Sequence, residues 1–135
     1  MAWLWGGWVK NFLGERESAI ERFARAMRLS PLDPFVPGMQ GATAAAHFFL
    51  GRYDEAASWA AMALQDNPDF QTGLRIAAAS NAMAGRLEQA HEAMARLRQV
   101  NPALRVSTLK DLAPFRRAED LSRFEEALRQ AGLPE

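Results

Sequence analysis

Gly14-Glu-Arg-Glu-Ser-Ala19, Gly51-Arg-Tyr-Asp-Glu-Ala56 and Gly85-Arg-Leu-Glu-Gln-Ala90 are three versions of one phrase. Their glycines stand 37 and 34 residues apart, and a proline follows each alanine 12 residues on, at Pro31, Pro68 and Pro102. The glycine supplies the left-handed residue that ends one helix, and the proline falls just past the end of the next. Between them the small alanine lets two helices approach closely. A period in the mid-thirties built this way predicts a solenoid of helix-turn-helix hairpins stacked side by side. Arrays of this kind hold surfaces for partners and rarely carry chemistry.

Outward from the first phrase, Ala19, Ile20, Phe23, Ala26 and Met27 share one stripe of a helix predicted over 17–29. Asp54 and Glu55 open the second hairpin's second helix, where the helix dipole favours acids. Ala44, Ala56, Ala60, Ala78 and Ala90 recur at the contact within each hairpin. Residues 30–37 lengthen the first connection and contain Pro31, Pro34 and Pro37, which predicts a stiff, extended loop. After Pro102 the period fails. A short helix over 105–113 is closed by Pro114, and an amphipathic helix over 118–131 carries Leu121, Phe124 and Leu128 on its stripe, with Glu119 paired to Arg123. A solenoid needs an end that shields its last apolar face, so this tail reads as a cap. The alternative is a tail that folds back into the groove as an inhibitor.

The 135 residues suffice for one domain with a core, and sixteen basic and sixteen acidic side chains cancel. A neutral chain lacks the positive field that holds a phosphate backbone, so nucleic acid is not expected as a partner. With no cysteine there is no disulfide or thiolate metal site, which is compatible with a cytoplasmic location. No apolar run approaches the roughly 20 residues of a membrane-spanning helix, so no membrane partner is expected. Residues 1–13 lack a basic leader and a clean cleavage site, and read as the first helix of the array. Trp3, Trp5, Trp8 and Phe12 crowd that helix. An apolar patch of this size predicts either further repeats upstream or pairing of two chains through that end, with Trp3 and Trp5 as the seam.

The consensus W-x2-L-G-x2-Y, A-x3-F, P belongs to the tetratricopeptide repeat, and this sequence resembles that family over about three quarters of its length. Trp3, Gly7, Gly14, Ala19, Phe23, Ala26 and Pro31 fall in register in the first copy, with Gly6 and Lys10 as departures. Ala44, His47, Gly51, Ala56, Ala60, Ala63 and Pro68 fill the same slots in the second. Leu74, Ala78, Asn81, Gly85, Ala90, Met94, Leu97 and Pro102 do so in the third. The resemblance implies an all-α, right-handed solenoid as a single domain over 1–135. Its repeats would cover about 2–33, 37–70 and 71–103, with a C-terminal capping helix pair over 104–135.

In that family the first, or A, helix of each hairpin lines a concave groove. Carried over by position, the groove takes Leu4, Trp8, Asn11 and Phe12 from the first copy and Gly38, Gly41, Ala45, Phe48 and Phe49 from the second. The third copy gives Thr72, Arg75, Ala79, Ala82 and Met83. Chaperone-binding members use Lys and Asn there to clamp a terminal carboxylate; this chain has Leu4, Trp8, Gly41, Ala45 and Arg75 instead. The expected partner is therefore a protein or peptide segment that is apolar or amphipathic, with Trp8, Phe12 and Phe48 as anchors and Arg75 as an orienting charge. The alternative is a homo-oligomerisation unit, a homodimer for instance, built on the aromatic N-terminal helix.

His47 and His91 lie on different repeats and have no partner spaced for a metal, and no phosphate loop is present. His47, at the family's Tyr slot, is expected to be a core histidine with a satisfied nitrogen. No metal, cofactor or catalytic residue is expected, and the chain reads as a non-enzyme. Phe12-Leu-Gly-Glu15, Ala19-Ile-Glu-Arg-Phe-Ala24, Ala26-Met-Arg-Leu-Ser-Pro-Leu-Asp-Pro34, Ala45-Ala-His-Phe48 and Gly51-Arg-Tyr-Asp-Glu-Ala-Ala57 also resemble a narrower group. This is the C-terminal repeat region of bacterial class III adenylate cyclases and related winged-helix regulators. The closing stretch from Pro114 to Pro134 is similar to their tail. That resemblance implies a regulatory module of a larger signalling protein and lends no catalysis to these residues.

Overall fold

Gly51 and Gly85 have φ angles of 81° and 84°, the left-handed conformation that stops a helix without the strain a Cβ would add. Around each, two backbone bonds close the preceding helix. Arg52 N–H reaches His47 O at 2.9 Å and Gly51 N–H reaches Phe48 O at 3.0 Å; Arg86 to Asn81 and Gly85 to Ala82 repeat the pattern at 2.8 and 3.2 Å. The repeated phrase therefore makes the same bend twice among the residues that the computed structural model describes, 16–111 and 118–135. Gly14 lies outside them.

Those residues form α1 (Arg16–Leu29), α2 (Val36–Phe49), α3 (Tyr53–Asp66), α4 (Gln71–Met83), α5 (Leu87–Val100), a 3-10 segment (Val106–Asp111) and α6 (Ala118–Gln130). No strand occurs among the described residues. Each of α1 to α5 packs on its neighbour in sequence, and α2 also packs on α4. Thus α2 and α4 are the A helices of the second and third hairpins, and α1, α3 and α5 are the B helices. Because α2 is enclosed by α1, α3 and α4, every residue from 41 to 48 is buried. An enclosed helix has no polar face, which explains its run of small and apolar residues. Ala44, Ala56, Ala60, Ala78 and Ala90 are each fully buried, as the hairpin contact requires. Gly41 faces the next hairpin, since a Cβ there would meet the Phe70 ring at 2.9 Å.

Two expectations change. The 30–37 connection is not extended. Asp33 N–H bonds Ser30 O at 3.1 Å and Val36 N–H bonds Asp33 O at 3.0 Å, so two tight turns follow one another. Pro31 and Pro34 each hold the second position of a turn, where their fixed φ suits it, and Asp33 Oδ1 accepts from Phe35 N–H at 2.8 Å. Pro37 sits in the first turn of α2, where its missing N–H costs nothing. The first half of the predicted cap is likewise a 3-10 segment rather than an α-helix. It buries Val106 and Leu109, and Val106 N–H bonds Pro134 O at 2.9 Å, tying the segment to the chain's end.

A polar ladder runs along the turn side. Arg52 pairs with Glu17 of the preceding hairpin, and Arg86 Nη1 pairs with Asp54 Oδ1 at 2.6 Å. Both arginines are the N-cap residues of their helices, and neither caps by its side chain. The position where Ser or Asp would stabilise a helix start is used to join repeats.

Candidate partner-binding groove

Helix α6 is amphipathic, and its apolar side lies on the A-helix side of the array. It packs along α4 and reaches past it to the first and second hairpins. At its start Asp120 Oδ2 accepts from Arg16 Nη2 of α1 at 2.6 Å, and both side chains are buried. The Arg16 guanidinium also stands 4.9 Å above the Phe49 ring. One turn on, Arg123 Nη1 donates to the Phe49 carbonyl at 3.0 Å. Phe124 meets Phe48 edge-on at 5.8 Å and lies tilted against Phe49 at 6.1 Å. Further along, Ala127, Leu128, Ala131 and Leu133 join one buried cluster with Leu74, Ala78, Ala79 and Met94 of the third hairpin. Gly132, at φ 108°, closes the helix beside His91 and Met94. At 1.5 Å per residue, 13 residues span about 20 Å, enough to cross the stack from the first hairpin to the third.

The expected groove residues in the described part are brought together, but beneath this helix. Ala45, Phe48 and Ala79 are buried in the same cluster as Phe124 and Leu128. Arg75 is half-buried on α4, and burial lowers its pKa from the usual arginine value. Its Nη2 donates to Thr72 Oγ1 at 3.2 Å, and no carboxylate among the described residues pairs with it. Leu4, Trp8, Asn11 and Phe12, and the seam residues Trp3 and Trp5, lie outside the described residues. The expected Glu119–Arg123 pair does not form, because Arg123 is taken up by the Phe49 carbonyl.

Sequence reading missed Arg16 and Asp120, although both left a signal. Arg16 occupies the place in the phrase that Tyr53 and Leu87 fill elsewhere. Asp120 lies on the apolar stripe of its own helix, at i relative to Phe124 at i+4 and Leu128 at i+8. A charge in an apolar position of each of two segments is what a buried pair leaves in a sequence, since either alone would be costly.

His47 is buried, as expected of a core residue, but its nitrogen is not satisfied. Nδ1 lies 3.3 Å from Glu55 Oε2 without hydrogen-bond alignment. Burial lowers its pKa below 6.5, outweighing the pull of Glu55 in the other direction. His91 is exposed on α5. No group of three His, Cys, Asp or Glu side chains among the described residues could hold a metal ion. No helix among them is long and apolar enough to cross a membrane.

No protein-family model matches the sequence, and no curated protein matches it. The structure is similar to one described as the first TPR of Spaghetti (RPAP3) bound to the HSP90 peptide SRMEEVD, with 20% sequence identity and a TM-score of 0.70 over 95% of this chain and 91% of that one. Paired helices, left-handed turn glycines and stacked hairpins together make this the tetratricopeptide fold.

Proposed function

We propose that the chain is a non-catalytic protein-interaction module that takes an apolar or amphipathic peptide segment on its A-helix face. One observation carries this reading: an amphipathic helix, α6, already beds its apolar side there, against Phe48, Phe49 and the alanines of α4. Small residues on the A helices leave room for a ligand's larger side chains, and the two phenylalanines supply an aromatic floor. The similar structure binds an acidic peptide, which is consistent with the fold serving as a peptide platform. The ligand chemistry differs here, because Gly41, Ala45 and Arg75 replace the Lys and Asn of a carboxylate clamp. Arg75, desolvated and without a carboxylate partner among the described residues, is the charge that orients the ligand. The resemblance to the cyclase and regulator repeats supports a place in a larger signalling protein, and that context rests on sequence alone.

The test is amide chemical-shift mapping of the full chain with two peptides at millimolar concentration. A helical peptide with apolar residues at i, i+4 and i+8 is expected to shift Ala45, Phe49 and Arg75, while SRMEEVD leaves them unmoved. Shifts confined to residues off the A helices, or a response to SRMEEVD alone, would overturn the reading.

A further inference from the structure

We infer that α6 is a displaceable stand-in for the partner, and that the partner is a helix of another protein repeating its pattern: a carboxylate, an aromatic residue four positions on and a leucine eight positions on. The inference rests on the proposed function and specifies its ligand.

Four observations lead to it. First, α1 to α5 form a continuous stack in which every helix packs on the next, and α6 lies across that stack instead of continuing it. Second, the contacts of α6 with the first two hairpins all bridge residues far apart in the chain. They are a salt bridge from Asp120 to a residue 104 positions away, a bond from Arg123 to a carbonyl 74 positions away, and the packing of the Phe124 ring on Phe48 and Phe49. Third, the outer side of α6 is polar, with Glu119, Ser122, Glu126, Arg129 and Gln130 exposed. It is a surface helix laid on a groove rather than an enclosed one like α2. Fourth, the buried Arg16–Asp120 pair makes the groove selective. A helix that fills it without a carboxylate at that register loses this buried ion pair, while one with a carboxylate restores it.

Tethering sets the affinity. A groove that is open about 1% of the time weakens an incoming helix about 100-fold, and loosening α6 recovers that factor. The partner therefore needs either high local concentration or an event that frees the tail.

Two measurements decide the matter. Hydrogen exchange on the unmodified full chain is expected to show the amides of α6 exchanging before those of α2 and α4, in a local opening. A labelled peptide of residues 118–135 is then titrated by anisotropy into the wild-type chain and into full-length Asp120→Asn and Phe124→Ala. Both variants are expected to bind it at least tenfold more tightly than wild type, and a peptide carrying Asp120→Lys is expected to lose that binding. If Phe124→Ala does not fold, exchange and Asp120→Asn still decide. Exchange of α6 only with global unfolding, or equal affinities for wild type and folded Asp120→Asn, would overturn the inference while leaving the A-helix face open to test by shift mapping. An α6 that opens locally above a groove that takes no peptide would instead sink the proposed function. Dimers formed by trading α6 would name a second copy as the occupant and overturn the heterologous partner.

Discussion

The turn side and the A-helix side of this array both join one hairpin to another, by opposite physics. On the turn side the links are ion pairs between adjacent hairpins, Arg52 with Glu17 and Arg86 with Asp54, and each has an exposed carboxylate. Water and salt screen such pairs, so they set register more than stability. On the A-helix side one helix spans three hairpins, burying aromatic area and a charge pair whose side chains are 6% and 8% exposed. There the dielectric is low, and each contact matters more. The polar ladder joins neighbouring hairpins, while α6 reaches from the first hairpin to the third. The proposed partner face is the second side, where α6 covers the apolar surface of the A helices.

The sharpest way to break this contrast is Phe124→Ala, which empties the space beside Phe48 and Phe49. It is expected to cost about 3–5 kcal/mol in urea unfolding if α6 and the hairpins unfold together. A loss well below that, with α6 melting in a separate earlier step, would sharpen the case for a detachable helix. Asp120→Asn removes the charge that Arg16 needs and is expected to cost up to about 3 kcal/mol by the same measurement, with little dependence on salt. Gly85→Ala meets no atom within 4 Å of its new Cβ, so its cost is backbone strain alone at φ 84°, about 1–2 kcal/mol. A double-mutant cycle on Arg86 and Asp54 is expected to return no more than about 1 kcal/mol, falling with added salt. A larger, salt-insensitive value would erase the distinction between the two sides.

The smallest effect is that of pH. His47 has a folded-state pKa below its unfolded value of 6.5, so the unfolded chain binds the proton more readily. Its contribution is fully present above 6.5 and declines as pH falls from there toward the lowered folded value. The melting temperature of wild type is expected to drop more between pH 7.5 and 5.5 than that of His47→Gln. Because Glu55 opposes the burial effect, the difference is small; an equal drop in both proteins would remove His47 as its cause.

The hairpin fold was legible because Gly51, Gly85 and the buried alanines obey local rules that a sequence prints directly. The path of 30–37 was not, although its turn chemistry was on the page. Three prolines suggest stiffness, but Pro31 and Pro34 each stand one residue after a turn starter, Ser30 and Asp33. The groove was half legible. Ala45, Phe48 and Ala79 are what the family resemblance implies for the groove, but their cover is not implied, because nothing local says where a helix about 70 residues downstream comes to rest. Only the misplaced charges, Arg16 and Asp120, pointed across that distance. Arg16 becomes readable once the three phrases are aligned, and Asp120 once the apolar stripe of its own helix is drawn.

The arginine ladder also has a direction. Each rung is given by the later hairpin to the earlier one, so the array has a donor end and an acceptor end. Glu88 holds the acceptor place in the third phrase, is exposed, and pairs with no cation among the described residues. Anyone lengthening this protein by grafting a fourth hairpin has a register mark ready. With arginine just after its turn glycine the graft would lock onto Glu88, and with an acid there it would be repelled.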